Sequence, residues 1–207
     1  MALDTSEWMP RTQLGEMVKK GLVTSLDEIF ARGYRIMEHE IVETLLPDIQ
    51  YEVIYTTIVQ KQTDAGEKSR FKVIVAVGNG DGYIGVGSGK AAQWRIAVEK
   101  ALKEAKLNIT PTRRGCGSWE CSCDQSHSIP FRVVGKCGSV RFEVLPGPRG
   151  LGLVANDTSK ILLRLAGIKD CWTRSRGSTR TTQSLIYATF DALANTYRIV
   201  TPNDWAR

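Results

Sequence analysis

Two runs of strict alternation lie between two helical patterns in this chain, and that order leaves few folds open. Tyr51, Val53, Tyr55, Thr57 and Val59 alternate with Glu52, Ile54, Thr56, Ile58 and Gln60, a period of two, rich in β-branched and aromatic side chains, that suits a strand. Thr63-Asp-Ala-Gly-Glu-Lys68 predicts a polar turn, and Phe71, Val73, Val75 and Val77 predict a second strand running back. Gly78-Asn-Gly-Asp-Gly82 predicts another turn. A short third strand over residues 83–86 leads through Gly87-Ser-Gly89 into a helix whose apolar stripe is Trp94, Ala97, Val98, Ala101, Leu102 and Ala105. Residues 38–46 place Ile41, Val42, Leu45 and Leu46 together on a helix that Pro47 ends. The expected order is therefore helix, three antiparallel strands, helix.

Upstream, residues 12–23 have Leu14, Met17 and Val18 at helical spacing, with Gly21 as a stop, and Ser25-Leu-Asp-Glu28 matches a capping box. Downstream, residues 131–134 and 139–145 predict a hairpin around Gly135-Lys-Cys-Gly138. A stiff loop follows at Pro146-Gly-Pro-Arg-Gly150, then a helix from about Asp157 to Gly167, a strand over residues 168–173 and a last helix over residues 181–197. The fold class is α+β. We expect a helical extension over residues 1–37, an αβββα unit over 38–110, a joint over 111–130 and a second mixed α/β unit over 131–207.

The joint is unlike its surroundings. It holds Cys116, Cys121, Cys123 and His127 in the spacing C-x4-C-x-C-x3-H, and a Cys3His set is a common closed tetrahedral zinc environment. The loop offers little to bury beyond Trp119 and Ile129, so a structural zinc is expected to fix it where packing does not. Cys137 and Cys171 are expected as packed thiols in a turn and a strand. Five cysteines in all, an odd number, favour thiols or metal ligands over a disulfide framework. No apolar run approaches the roughly 18 residues of a membrane span, and the first residues lack a signal-peptide pattern, so a cytoplasmic protein is expected.

A formal charge of +6 fits a protein that neutralises phosphate. Gly80-Asp-Gly82-Tyr-Ile-Gly85 has the dinucleotide pattern, but a strand intervenes before the helix and the sheet order is antiparallel, which excludes a βαβ nucleotide site. A P-loop at Gly89-Lys90 lacks its other residues. Asp81 has no second acidic residue beside that loop to hold magnesium, and no Ser/His/Asp or Cys/His set indicates catalysis, so binding is favoured over an enzyme. The expected phosphate contacts are the glycine turns at Gly80, Gly82, Gly87 and Gly89, with Lys90 and Arg95 at the helix start. Loop arginines join them: Arg113, Arg114, Arg149, Arg174, Arg176 and Arg180. Lys61, Lys68 and Arg70 belong to the first turn. His39 has no assignable partner and is expected as a surface or packed residue.

Long motifs then narrow the reading. Phe71-Lys-Val-Ile-Val-Ala-Val-Gly-Asn-Gly-Asp-Gly-Tyr-Ile-Gly-Val-Gly-Ser-Gly-Lys-Ala91, Arg114-Gly-Cys-Gly-Ser-Trp-Glu-Cys121, Gly135-Lys-Cys-Gly-Ser-Val140 and Pro146-Gly-Pro-Arg-Gly-Leu-Gly-Leu153 resemble the ribosomal protein S5 family of the small subunit, in its archaeal form. The resemblance runs from about Trp8 to Tyr197. It implies a domain like a double-stranded RNA-binding domain, followed by a small βαβ-type sandwich domain. It also implies a structural, non-enzymatic role in the small ribosomal subunit. The implied partners are ribosomal RNA, neighbouring ribosomal proteins and messenger RNA near the entry channel, and the implied contributions are to assembly and accuracy. Within the family the turn over residues 61–70 lies near decoding. A free RNA-binding regulator is disfavoured by the second unit and by the lack of a linker-separated effector segment.

Overall fold

The computed structural model describes residues 8–123 and 125–199; the outer ends of the expected first and last units lie outside the described residues. Helix α1, Gln13–Lys19, is capped by Thr12, whose hydroxyl accepts from the Gly15 amide at 3.1 Å. Helix α2, Leu26–Ala31, is capped by Ser25, which accepts from the Glu28 amide at 3.4 Å, as the capping pattern requires. With α3, His39–Leu45, these helices enclose their own apolar cluster of Trp8, Leu14, Val18, Val23, Leu26, Ile29, Ile41 and Val42, closed by Ile109.

Strands β1 (Gln50–Thr63), β2 (Gly66–Gly78), β3 (Tyr83–Ala91) and β4 (Thr110–Pro111) form an antiparallel sheet in chain order. The first hairpin is longer than its polar composition suggested. Pairing continues to Thr63 opposite Gly66, so Lys61 and Lys68 face each other across a ribbon, and only two residues turn it. Thr63 Oγ1 donates to the Gly66 carbonyl at 2.7 Å, and Gly66 takes a φ of +116° that suits glycine. One bulge, at Ile54, switches the parity of β1 relative to β2.

Helix α4, Trp94–Leu107, packs on one face of this sheet. Gly85, Gly87 and Gly89 alternate along β3 toward it, and a Cβ on each would sit 2.1–2.3 Å from the carbonyl oxygens of Ala105, Ala101 and Ala97. Helix and strand backbones thus approach as closely as side-chain-free contact permits. Ala97, Ala101 and Ala105 are fully buried, whereas Trp94 is exposed, so the expected stripe begins one turn later. Gly87 and Gly89 are strand residues buried under α4, not a turn offering amides to phosphate.

The second sheet has the order β5-β6-β8-β7, from β5 (Val133–Cys137), β6 (Val140–Pro146), β7 (Leu153–Val154) and β8 (Cys171–Arg176). Strands β7 and β8 run parallel, joined by α5 (Asp157–Leu165), which gives the βαβ unit. The expected strand at 168–173 is displaced toward Arg176, because Gly167, at φ +82°, and Ile168 end the helix instead. Gly135 and Cys137 belong to β5, and Gly135 packs against the Ala188 carbonyl of α6 (Thr182–Asn195). A closing 3-10 turn follows at Thr196–Arg198.

The layers are second sheet, then α5 with α6, then first sheet, then α4. Ile74, Ala76, Ile84 and Val86 of the first sheet share one apolar cluster with Phe142, Val144, Leu162, Leu163, Ile186 and Leu193. The two units are therefore not separate bodies on a string; the α5–α6 layer buries a face of each sheet. Among the described residues no helix is long and apolar enough to cross a membrane.

Candidate RNA interface and metal centre

Pairing sets which side chains of the ribbon share a face. In the register, Lys61 opposes Lys68, Val59 opposes Arg70, and Lys72 opposes Lys90, and alternation points all of these to the side on which α5 and α6 lie. Lys72 Nζ donates to Gln183 Oε1 of α6, which marks that side. Beyond the helices the face is open. There Val59, Lys61, Thr63, Lys68, Arg70 and Lys90 line a groove of about 400 Å³. Burial, reinforced by the charge of Lys90, holds the Lys72 pKa below its ordinary value. Like charges gathered in this way repel one another and suit an anionic partner. Of the sequence-predicted contacts, four converge here: Lys61, Lys68, Arg70 and Lys90.

The others separate. Gly80 uses its amide on the Leu165 carbonyl at 2.9 Å and so belongs to the seam between the units, while the Gly82 carbonyl accepts from Thr112 N at 2.7 Å and extends the pairing of β3 with β4. Arg114 pairs with Asp81 across the same seam. Arg113 lies with Cζ 5.1 Å from the Tyr197 ring centroid, while its amide donates to Thr196 Oγ1 at 2.9 Å. This adjacent pair is thus half-buried and partnered within the chain rather than free in a loop. Arg95 stands exposed on α4, 3.5 Å from Glu99. Arg149 and Arg180 are exposed in loops, and Arg174 and Arg176 are exposed on β8 rather than in a loop. His39 is part-buried, with Nδ1 3.0 Å from Glu40.

The joint folds back on itself through a bridge between Gly115 and Ser128. Gly117 makes the fold-back possible, since a Cβ there would lie 2.0 Å from the Pro130 carbonyl oxygen. Cys116, Cys121, Cys123 and His127 come together as a result, their ligand atoms all within 4.8 Å of one another. Cys121 and Cys123 Sγ are 3.1 Å apart, and Cys121 Sγ is 3.8 Å from His127 Nε2. Two sulfurs on one zinc stand about 3.8 Å apart at a Zn–S distance of about 2.3 Å, so the set fits zinc with a small spreading of the C-x-C pair.

The surroundings of the set complete the fit. His127 is 5% exposed, and its Nδ1 lies 2.9 Å from Asp170 Oδ2, which leaves Nε2 turned to the sulfurs. Asp170 is itself fixed, accepting from Gly152 N at 2.7 Å. A hydrogen bond from Cys123, with backbone N–H donors of Arg149 and Cys123, lowers the Cys121 thiol to about 6. Burial raises Cys116, and burial with Asp170 nearby pushes Cys171 up to about 12; Cys171 is a packed thiol outside the cluster. Asp170 was missed in the sequence, where nothing links it to a histidine forty-odd positions away.

Comparison with known proteins agrees with the long motifs. The family model described as Ribosomal protein S5, N-terminal domain, matches residues 49–113, and that described as Ribosomal protein S5, C-terminal domain, matches residues 135–206. The chain belongs to the ribosomal protein S5 family. Among its relatives, Small ribosomal subunit protein uS5 of Pyrobaculum islandicum is 59% identical over 195 residues, covering 94% of this chain and 96% of the relative. The protein of that name from Staphylothermus marinus is 58% identical over 206 residues, covering 100% and 95%. That of Aeropyrum pernix is 57% identical over 204 residues, covering 99% and 94%. The S5 N-terminal match falls on the first sheet and α4 and ends at Arg113; the C-terminal match begins at Gly135 in β5. The Cys/His loop lies between the two matched regions.

Proposed function

We propose that this chain is a structural, non-enzymatic constituent of the small subunit of the cytoplasmic ribosome, binding ribosomal RNA chiefly through phosphates. The observation that carries the RNA contact is the convergence of Lys61, Lys68, Arg70 and Lys90 on one open groove, since an A-form helix hides its base edges and offers backbone and shape instead. The naming of its relatives supports the subunit assignment. The same ribbon is the part proposed to reach the decoding neighbourhood and the messenger entry region, with neighbouring ribosomal proteins on the remaining surface.

Cys116, Cys121, Cys123 and His127 hold one structural zinc in this reading. The ion supplies a closed tetrahedral cross-link that ties the joint together. Around it, the Asp170 carboxylate stands against His127 Nδ1 and the Arg149 backbone amide donates to Cys121, so the Pro146–Gly150 loop and the second unit are oriented by the same cluster. Sucrose-gradient fractionation of cells expressing a tagged copy tests the assignment: the chain is expected to sediment with small subunits, and recovery only in the soluble fraction contradicts it.

A further inference from the structure

Both helices of the second unit cover one face of its sheet and leave the other to solvent. Alternation from the buried Val140, Phe142 and Val144 of β6 fixes which residues stand on the open face. In register they form rows. Lys136, Arg141 and Arg176 lie side by side across β5, β6 and β8, and Arg174 stands in the next row opposite Glu143. Trp172, 44% exposed, follows in the third row beside Val154 of β7.

Three cations directly opposite one another on neighbouring strands work against the sheet unless something neutralises them. Within the chain little does. Glu143 is the acidic residue of these rows; it is buried and paired with Arg132 at 3.0 Å. Among the described residues no ion pair engages Lys136, Arg141, Arg174 or Arg176. The surface is thus a flat field of positive charge with an aromatic ring at one border, and it lies on the layer farthest from α4.

We propose that this face is a second RNA platform, separate from the ribbon groove, that takes a single strand: phosphates lie across Lys136, Arg141, Arg174 and Arg176, and an unpaired base stacks on Trp172. Planar guanidinium forks match phosphate oxygens, and an aromatic ring beside a cationic track is the arrangement by which proteins hold unpaired nucleotides. An acidic protein segment would match the charge but leave the indole without a flat partner. The proposal rests on the reading of this chain as an RNA-binding protein. It makes the molecule a bridge, with a groove for backbone on the ribbon and a stacking platform on the far sheet.

The test uses the full chain and three probes, an oligouridylate of about 10 nucleotides, within the usual site sizes of such platforms, a short RNA duplex and polyglutamate. The variant Lys136→Gln/Arg141→Gln/Arg174→Gln/Arg176→Gln is expected to lose single-strand affinity, with its log–log salt slope falling by about 0.7 per lost contact, while duplex binding at the ribbon persists. Trp172→Ala is expected to lose about tenfold or more on the single strand, and Trp172→Phe to retain it; this pair decides the matter if the fourfold variant fails to fold. Single-strand binding unchanged in both the fourfold variant and Trp172→Ala, with duplex binding intact, overturns the platform and leaves the RNA reading standing. Wild type that binds neither RNA probe overturns both. Wild type that binds polyglutamate but no single strand, through the same four residues, overturns the proposal in favour of an acidic protein partner.

Discussion

Asp170 Oδ2 lies 2.9 Å from Nδ1 of His127 and Asp170 is itself held by the Gly152 amide, so the carboxylate stands behind the imidazole and Nε2 is left toward the sulfurs. Replacing such a carboxylate commonly weakens a metal site about 10–100-fold. Asp170→Asn should therefore retain folding but lose zinc to a chelator at correspondingly lower concentration, while Cys121→Ser should lose about one zinc per chain; elemental analysis and a competition titration read both, and a wild type purified free of zinc with an ordered loop contradicts the site. A second residue predicts a pH effect. Burial opposes the charge of Glu38, but hydrogen bonds from the Thr12 side chain, the Arg11 and Thr12 amides and the Trp8 indole outweigh it and hold the carboxyl below its ordinary 4.5. A depressed folded value means stability fully present above 4.5 and lost as pH falls through the folded value. The protection of the Arg11 and Thr12 amides relative to intrinsic exchange should fall on acidification in the wild type and already be low at neutral pH in Glu38→Gln. Equal exchange in the two proteins at neutral pH refutes that role.

At the scale of elements, side-chain periodicity was legible and backbone contact was not. Ser25 and the apolar faces of α1 to α3 followed from short-range rules, as did the alternation of β1 and β2; the Thr12 cap of α1 did not. Gly87 and Gly89 read as a turn because glycine is commonest in turns, whereas here, with Gly85, their missing side chains admit α4. Likewise the polar residues 61–70 look like a loop, since no buried face marks a ribbon that projects beyond the helices. The cysteine–histidine set was legible because its ligands are near in sequence; the cationic groove was legible only as scattered residues, because Lys90 joins Lys61, Lys68 and Arg70 through strand register. If Gly87 serves packing, Gly87→Ala should cost about 1–3 kcal/mol by forcing α4 away from the sheet. Thermal unfolding checks this, and a stable variant with weakened RNA binding instead would restore the turn reading.

For the whole molecule, the α5–α6 layer joins two sheets into one core, and the seam is tied by Gly80, Asp81 and Arg114. Such a body holds its charged surfaces at fixed separations, which suits a protein that fills a defined place among RNA helices better than one that scans for sequence. Arg113 and Arg114 are half-buried, one against Tyr197 and the other on Asp81, so their joint replacement by alanine is expected to loosen the seam and lower thermal stability more than it changes the salt dependence of RNA binding. The ribbon carries the opposite expectation. Charge reversal at Lys68 and Arg70, both exposed on β2, should raise misreading in a translation assay while leaving the melting temperature near that of the wild type; unfolding without loss of fidelity argues against it. The most direct test of phosphate binding is the salt dependence of duplex RNA affinity, wild type against Lys61→Gln/Lys68→Gln/Arg70→Gln/Lys90→Gln. With about 0.9 of slope per phosphate contact, the fourfold variant should show a log–log slope shallower by about 3 to 4, and an unchanged slope would contradict the account.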